Sequence, residues 1–463
     1  MSRVEREQRN IYIMKAYKAV HLLLMALAFV VVYLKFYGAG FDSFNSRLFN
    51  VISILVYVIG YVLLARVYNA YRVGMKRIGE LRLVHTMIQF ILMFAMYFVN
   101  NLAWLHTRVW IGPLPMITAL IIQVLLTFTW TALAEQEYFK IYKPKKTIVI
   151  YRNKRDLRRL NCIANFTRQY EVIKYIENPE DDYKLLYSQI EGAEAIFTAG
   201  VKADLRNSVA KYCAENGVEG YFIPHIGDLL ISGANHVQQF DTPIVALGGP
   251  KEDVEYMFVK RIFDIVVSFI GIVVLSWLMI IIAIVIRLSD GGPAIFKQVR
   301  LTRDGKEFNI YKFRSMRVDA EKDGVARLAS EDDDRITSVG KFLRKCRLDE
   351  LPQLFNILIG DMTIVGPRPE RPEIAEQYKK VIPAFKLRLR VKAGLTGYAQ
   401  VYGRYNTDPY DKLEMDLMYI NKRNIFVDLG IIFATIAILF SKESTAGLEM
   451  GELTAMIDDE DFR

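Results

Sequence analysis

The chain has 463 residues, a net charge of +9 and a mean hydropathy of +0.17, and 52% of its residues are hydrophobic. This apolar fraction argues against an entirely soluble protein and favours membrane segments. The positive charge fits either nucleic acid or anionic lipids with phosphorylated substrates, and the apolar content favours the second. All histidines precede the last ~210 residues, which excludes a histidine-based zinc site or general base within that region.

Four apolar runs occupy the N-terminal part of the chain, at about residues 17–34, 49–65, 84–104 and 111–134. Each is near the ~20 residues that an α-helix needs to cross a bilayer. Lysines and arginines are concentrated before the first run, between the second and third, and after the fourth. By the positive-inside rule, this pattern predicts a four-span helical bundle over residues 1–140 with both ends in the cytoplasm.

Residues 145–250 lose the long apolar runs and alternate short apolar strands with mixed helical stretches. This alternation predicts a small doubly wound, Rossmann-like α/β domain. The first strand leads into YRNKRDL, where a dinucleotide-binding fold would carry GxGxxG, so a scaffold or interaction role is favoured. The predicted strands are 147–151, 193–199, 219–224 and 243–247, with helices near 154–160 and 202–215.

A fifth apolar run extends from Ile265 to Ile286, about 22 residues, which is long enough to cross a bilayer. Basic residues flank it on both sides, with Lys260 and Arg261 before it and several more after it. These flanks predict that both ends face the cytoplasm, so residues 262–286 are interpreted as a re-entrant or interfacial segment.

The stretch LDELPQLFNILIG, residues 348–360, places two adjacent carboxylates before an apolar helix. Interpreted as one helix, it has Asp349 near the N-cap, Pro352 in the first turn and Gly360 as the C-terminal stop. The helix dipole would then keep Asp349 and Glu350 ionised, able to hold a divalent cation or to attack phosphorus. An isolated Asp-Glu pair is more often a cap beside an exposed glutamate. The apolar face predicted for this helix consists of Leu348, Leu351, Leu354, Phe355 and Leu358.

Basic and glycine-rich stretches surround this pair in the sequence. Lys312 and Arg314 lie on the same side of the strand-like segment YKFRSM by its two-residue period. Arg368 stands between two prolines in VGPRPE, an extended backbone that pre-orders a guanidinium for phosphate. The loop AGLTGYAQVYGR, which supplies Gln400 and Arg404, has glycines spaced as in a loop closed around a ligand. Each signal is weak alone, but together they predict phosphate chemistry beside a membrane.

From Lys260 to about Ser441, the chain resembles the bacterial sugar transferases that load the first hexose-1-phosphate onto a polyprenyl phosphate in exopolysaccharide and capsule synthesis. The matching stretches are KRIFDI, GGPAIFKQVRLTRDGKEFNIYKFRSM, RITSVGKFLRKCRLDELPQLFNILIGDMTIVGPRPE and KAGLTGYAQVYGR. The four spans and the α/β domain resemble the long form of this family, related to undecaprenyl-phosphate glucose or galactose phosphotransferases. The resemblance implies a mainly α, membrane-associated catalytic domain over residues 255–463.

The resemblance also implies a reaction. Asp349 matches the family's catalytic aspartate, which attacks the sugar-bearing phosphorus of a UDP-hexose, releases UMP and passes the phosphosugar to undecaprenyl phosphate. Glu350 matches its partner glutamate, and both carboxylates are expected to bind Mg²⁺; Arg344 and Arg368 match phosphate-binding arginines. The expected substrate-binding residues are Lys312, Arg314, Arg344, Arg368, Gln400 and Arg404.

The implied location is the bacterial inner (cytoplasmic) membrane, as a multi-pass protein whose catalytic domain faces the cytoplasm. The expected partners are the UDP-hexose, undecaprenyl phosphate and membrane lipid, with no nucleic acid, and the spans suggest a homodimer interface.

The kink of the apolar segment, the function and the sugar stay open. The family's re-entrant helix breaks at a Ser-Pro pair, whereas Ser276 is followed here by Trp277, which removes the usual cause of a kink. A non-catalytic membrane scaffold or regulator of polysaccharide assembly, with a purely structural dyad, is the alternative function. A processive glycosyltransferase is disfavoured, because no DxD motif follows a nucleotide-binding strand. Glucose, galactose and N-acetylated hexoses are all open as the sugar.

Overall fold

A computed structural model gives the structure, in which the chain forms two compact units, residues 1–223 and 224–463. The residues that the structure describes are 3–37, 44–76, 78–103, 112–164, 168–179, 183–239, 242–247, 254–317, 333, 335–403 and 408–439. The division into three domains, at 1–140, 145–250 and 255–463, stays a prediction.

The first unit begins with four long helices. They are α1 (Arg3–Phe36), α2 (Phe44–Val67), α3 (Ile78–Ala103) and α4 (Leu114–Ile141). Each of them is long and apolar enough to cross a membrane. The four predicted apolar runs thus fall on four helices, while their crossing of a bilayer stays a prediction.

The side chains of α1–α4 are distributed in the reverse of a water-soluble bundle. Large apolar side chains point outward, with Leu23 67% and Leu114 72% exposed. Polar side chains are buried inside, where Gln89 Nε2 donates to Thr127 Oγ1 at 2.6 Å and Gln123 Nε2 donates to the Tyr57 hydroxyl at 2.7 Å. Because an apolar exterior is stable in lipid and not in water, this is a membrane protein.

The first unit ends in a parallel sheet with the strand order β2-β1-β3-β4. Its elements are β1 (Lys145–Tyr151), α5 (Lys154–Ala164), β2 (Tyr170–Glu177), α6 (Tyr183–Ile190), β3 (Ala195–Ala199), α7 (Ala203–Asn216) and β4 (Glu219–Phe222). Three of the four predicted strands, at 147–151, 193–199 and 219–224, are found in this sheet as β1, β3 and β4. The sequence did not predict β2, because the exposed residues of this strand obscure the apolar pattern.

A carboxylate occupies the edge of this sheet where a dinucleotide would bind. Asn153 Oδ1 caps α5 by accepting from the backbone N–H of Asp156 at 2.9 Å. Gly200, after β3, has a φ of +70°, and a side chain there would collide with the buried Asp156 carboxylate. A buried carboxylate repels a pyrophosphate, which agrees with the missing GxGxxG.

The strand predicted at 243–247 is not part of that sheet. The second unit begins with α8 (Ile226–Ser232), β5 (Asn235–Gln239) and β6 (Thr242–Ala246), and β6 pairs antiparallel with β5. A connection of two residues favours this hairpin, whereas a parallel strand needs a crossover of a dozen residues or more.

The fifth apolar run lies in α9 (Val254–Asp290), one helix of 37 residues. The helix is uninterrupted at Ser276, whose hydroxyl donates to the carbonyl of Val273 at 2.8 Å. The structure thus has no break within residues 262–286, and the interpretation of this segment as re-entrant or interfacial stays a prediction. Without a proline at position 277, every backbone N–H can continue the helical hydrogen-bond ladder.

Both ends of α9 pack against the rest of the second unit. Near its start, the Lys260 ammonium and the Tyr256 hydroxyl bind Asp428 Oδ2 at 2.6 and 2.9 Å. Near its end, Ile282 and Ile286 are buried in one cluster with Phe313 and Leu343 of the elements described next.

The remaining elements form the body of the second unit. They are β7 (Ile295–Leu301), β8 (Glu307–Phe313), α10 (Ser338–Lys345), α11 (Gln353–Ile359), β9 (Met362–Val365), α12 (Pro372–Val381), β10 (Ala393–Thr396), α13 (Tyr398–Tyr402), α14 (Pro409–Lys422) and α15 (Ile425–Leu439). β7 and β8 form an antiparallel hairpin, and β9 pairs with β10 in parallel. The core contains Ile357, Met362 and Leu417, and α15 packs into it through Ile431, as expected of a helix too short to span.

Candidate active site

The two adjacent carboxylates lie in a 3-10 turn, Leu348–Glu350, and not at the N-cap of the following helix. Pro352 is the N-cap of α11, so the predicted N-cap position of Asp349 is wrong. The cause is Arg347, which adopts a left-handed backbone with a φ of +52° and turns the chain sharply after α10. A non-glycine residue in this region stores strain, and such residues cluster at functional sites.

Helix α11 is fixed to its surroundings by polar contacts at its middle and near its C-terminal end. The amide of Asn356 bridges to β8, accepting from the N–H of Tyr311 at 3.0 Å and donating to the carbonyl of Asn309 at 2.8 Å. Arg261 donates to the carbonyls of Ile357 and Leu358 at 2.7 and 2.9 Å. These contacts hold the turn that carries the dyad.

The C-terminal stop was predicted correctly, because Gly360 has a φ of +108°. The predicted apolar face is only partly correct. Leu354 packs against the main core, whereas Phe355 is 41% exposed and the fully buried positions include Asn356 and Ile357.

Glu350 is held by two cations on a single oxygen. Lys312 Nζ and Arg368 Nη2 bind Glu350 Oε1 at 3.1 and 3.0 Å. Burial alone would raise the pKa of Glu350, but the charges of Lys312 and Arg368 hold that pKa well below its usual range. Glu350 is therefore ionised at neutral pH.

Asp349 has the opposite shift. Burial and the neighbouring Glu350 raise the pKa of the Asp349 carboxyl, against the attraction of Lys312, Arg344 and Arg368. The predicted position at the positive end of the α11 dipole is wrong for Asp349, which lies before that helix and shares its site with another negative charge.

A buried guanidinium positions the loop that carries Arg368. Arg388 is 4% exposed; its Nη2 donates to the backbone carbonyl of Arg368 at 3.0 Å, and its Nη1 to Glu370 Oε1 at 3.2 Å. Its Nε donates to Asp416 Oδ2 of α14 at 2.9 Å. Neither Arg388 nor Asp416 lies in a recognisable sequence pattern, so sequence reasoning missed both residues.

The other predicted residues differ in where they lie. Arg344 lies in the last turn of α10, and its charge lowers the pKa of Asp349. Its Nη1 is buried with no hydrogen-bond partner among the described residues. Arg314 is buried directly after β8, where its N–H donates to the carbonyl of Ala294 at 2.9 Å. Gln400 lies in α13, with its Oε1 buried and without a partner in the described part of the chain. Arg404 lies outside the described residues.

The site therefore brings together Asp349, Glu350, Lys312, Arg344 and Arg368. The site contains two carboxylates, one ionised and one with a raised pKa, beside three cations. Such a group of charges can bind a diphosphate and present a carboxylate to phosphorus. The arrangement suits phosphoryl transfer better than acid–base hydrolysis.

Comparison with known proteins places the chain in a family. A model of the family described as bacterial sugar transferase matches residues 255–442. The UDP-N-acetylgalactosamine-undecaprenyl-phosphate N-acetylgalactosaminephosphotransferase of Aeromonas hydrophila is 35% identical over 291 residues, which are 58% of this chain and 67% of that protein. The chain belongs to the bacterial sugar transferase family.

Other relatives match shorter parts of the chain. The UDP-glucose:undecaprenyl-phosphate glucose-1-phosphate transferase of Klebsiella pneumoniae is 43% identical over 211 residues, 44% of this chain and 43% of that protein. The undecaprenyl-phosphate galactose phosphotransferase of Salmonella typhimurium is 39% identical over 200 residues, 40% of this chain and 41% of that protein. The chain thus spans less than half the length of each of these two relatives.

Proposed function

We propose that this protein transfers a hexose-1-phosphate from a UDP-sugar to undecaprenyl phosphate, giving undecaprenyl-diphospho-sugar and UMP. This would be the first step of exopolysaccharide or capsule assembly. The observation that carries the proposal is the pair of carboxylates beside three cations: Glu350 is paired with Lys312 and Arg368, and Asp349 forms no ion pair within the described part of the chain. The names of the relatives support this reaction class.

The proposed reaction has two displacements. An oxygen of Asp349 attacks the sugar-bearing phosphorus, the bond to the UMP oxygen breaks, and UMP leaves with the electron pair. A phosphate oxygen of the lipid then attacks the same phosphorus, and the Asp349 carboxylate leaves. Lys312, Arg344 and Arg368 offset the negative charge that otherwise repels a carboxylate from a diphosphate.

Mg²⁺ fits this site as a shared ion. The described residues contain no group of three or more His, Cys, Asp or Glu side chains that could hold a metal by themselves. Mg²⁺ commonly uses one or two carboxylates together with substrate phosphates. Asp349 and Glu350 would hold it with the diphosphate, and the ion would supply further neutralisation of the leaving group.

For location we propose the bacterial inner membrane, with the dyad at the cytoplasmic face. The basic loops around α1–α4 support this orientation. The packing of both ends of α9 against one compact unit supports a helix whose two ends stay on that side.

The test is UMP release by the full chain in detergent, with Mg²⁺ and a panel of UDP-hexoses, before undecaprenyl phosphate is added. A burst of UMP equal to the enzyme is expected with one donor, and turnover only after the lipid is added. Asp349→Asn should lower the burst at least about a thousandfold. Asp304→Asn, on the exposed β7–β8 turn, is the matched control.

A full burst from Asp349→Asn would rule out the covalent mechanism. Folded protein that releases no UMP with any donor would instead support the scaffold alternative.

A further inference from the structure

A second basic site lies at the start of α9, outside the group of residues around the dyad. It is a cleft of about 470 Å³ between the first turns of α9, the residue before β10 and the end of α14. Its basic lining residues are Lys260, Arg261, Arg303, Lys392 and Arg423, and the one acidic residue in its lining is Asp264.

The negative groups near this cleft are already engaged. Asp428 binds Lys260 at 2.6 Å. Asp264 accepts from the Thr363 hydroxyl at 2.6 Å and from the N–H of Ile364 at 3.0 Å. Their positions are therefore fixed by the fold, and they leave the cleft with an excess of basic charge.

The remaining cations have neutral partners or lie near the surface. Lys392 donates to the carbonyl of Gly360 at 2.8 Å, and Arg261 to the two carbonyls at the end of α11. Arg303 is paired at 3.3 Å with Asp304, whose side chain is 79% exposed. Burial and the charge of Arg261 lower the pKa of Lys392, against the attraction of Asp264.

An exposed apolar stripe adjoins the cleft. Val254, Phe258 and Ile262 recur every four residues on α9 and are 74%, 66% and 46% exposed. Arg261, at the edge of this stripe, also lines the cleft. Apolar surface beside a basic cleft, at the end of a long apolar helix, is complementary to a lipid that carries a phosphate.

We propose that this cleft binds the phosphate of an anionic phospholipid headgroup, with the acyl chains on the α9 stripe. The bound phosphate offsets the excess positive charge and orders the start of α9 at the membrane surface. A soluble phosphate has the same headgroup chemistry but makes no use of the stripe, so the lipid is the better match. Arg261 also contacts the end of α11, but the lipid site does not rest on the proposed reaction.

The test measures retained lipid on the full chain. Protein in a zwitterionic detergent is incubated with equal phosphatidylglycerol and phosphatidylcholine, washed, and its bound lipids are counted by mass spectrometry. Wild type should retain phosphatidylglycerol preferentially. Arg303→Gln with Arg423→Gln should retain roughly tenfold less of it. Lys379→Gln with Lys380→Gln, on the exposed face of α12, removes the same charge and should change nothing.

Equal retention of the two lipids by wild type, or equal retention by both double variants, would overturn the proposal. A second arm titrates lipid-free protein with inorganic phosphate and follows thermal unfolding. Stabilisation by inorganic phosphate as large as that by the lipid, and lost in the Arg303/Arg423 variant, would reassign the cleft to a soluble anion. No nucleotide sugar is used, so the outcome does not depend on catalysis.

Discussion

The pKa values of two neighbouring carboxyl groups are shifted in opposite directions because the cations bind only one of the two side chains. Both Lys312 and Arg368 bind Glu350 Oε1, so Glu350 gains most of the attraction, and Asp349 gains mostly burial and repulsion. A pair of titratable groups with opposite pKa shifts is a common sign of divided roles in catalysis. In the proposed reaction, Glu350 would anchor the cations and Asp349 would be the reactive group.

This division gives a pH dependence. Asp349 attacks only when ionised, so kcat/KM for UMP release should fall as the pH drops through the raised pKa of Asp349. Lys312 lowers that pKa, so Lys312→Gln should move the acidic limb to higher pH as well as reduce the maximum. The measurement is UMP release across a pH series, with Lys306→Gln in the exposed β7–β8 turn as the control. An acidic limb at the same pH in Lys312→Gln and wild type would contradict this assignment.

The sequence indicated which basic residues could lie near the dyad, but not which groups they contact. The two-residue period of β8 correctly indicated Lys312, since alternation places it on the face toward Glu350. The same period also indicated Arg314, but that residue follows the last residue of β8, where its backbone pairs with Ala294. The burial that raises the pKa of Asp349 comes from packing between distant segments, which no local pattern reports.

At the scale of elements, the Arg368 loop depends on a clamp between a 3-10 segment and α14. Arg388 joins Asp416 to Glu370 and to the Arg368 backbone, across 18 to 28 residues of sequence. A lysine keeps the charge but cannot supply the planar fork that makes these contacts together. The clamp therefore requires arginine, and it transmits the position of α14 to the residue that holds Glu350.

Arg388→Lys should lower UMP release by roughly 10- to 100-fold, because a small displacement of Arg368 misplaces the phosphate site. Thermal unfolding should show a smaller loss, about 1–3 kcal/mol, since one buried ion pair can persist. Arg390→Lys, two residues further on, should leave both quantities unchanged. Wild-type UMP release by Arg388→Lys would show that the clamp has no part in positioning.

The C-terminal boundary of α11 was predictable from the sequence, whereas its N-terminal boundary was not. Gly360 signalled the C-terminal end, because glycine is the residue that adopts a left-handed backbone without strain. The N-terminal boundary depends on Arg347, which adopts that backbone at a cost and has no sequence signature. The helix therefore starts later than predicted, and the dyad lies in the turn before it.

For the whole molecule, the decisive feature is that α9 touches the second unit along its length. Contacts near Lys260 and near Ile286 are 26 residues apart, which is about 39 Å of helix and more than the hydrocarbon thickness of a bilayer. A domain in water cannot reach both ends of a helix that crosses the membrane. The basic flanks of α9 predict the same arrangement, and the side of the membrane on which its two ends lie stays a prediction.

Both ends of α9 should therefore react alike with a membrane-impermeant maleimide. In a background in which Cys162, Cys213 and Cys346 are replaced by serine, Glu255→Cys and Ser289→Cys should both be labelled in inside-out vesicles and neither in intact spheroplasts. Trp277→Cys, exposed at mid-helix, should stay unlabelled in both because lipid covers it. Labelling of one end from each side would show that α9 crosses the bilayer.

The apolar outer face of α9, with Phe258, Trp277 and Leu288 exposed, is part of the same folded body as the reaction site. Deleting α1–α4 to obtain a water-soluble enzyme would consequently fail, since the remaining fragment still exposes the apolar side chains of α9. Detergent, nanodiscs or a fused amphipathic partner would be needed for any shortened version. Membrane attachment and chemistry are not separable by truncation in this protein.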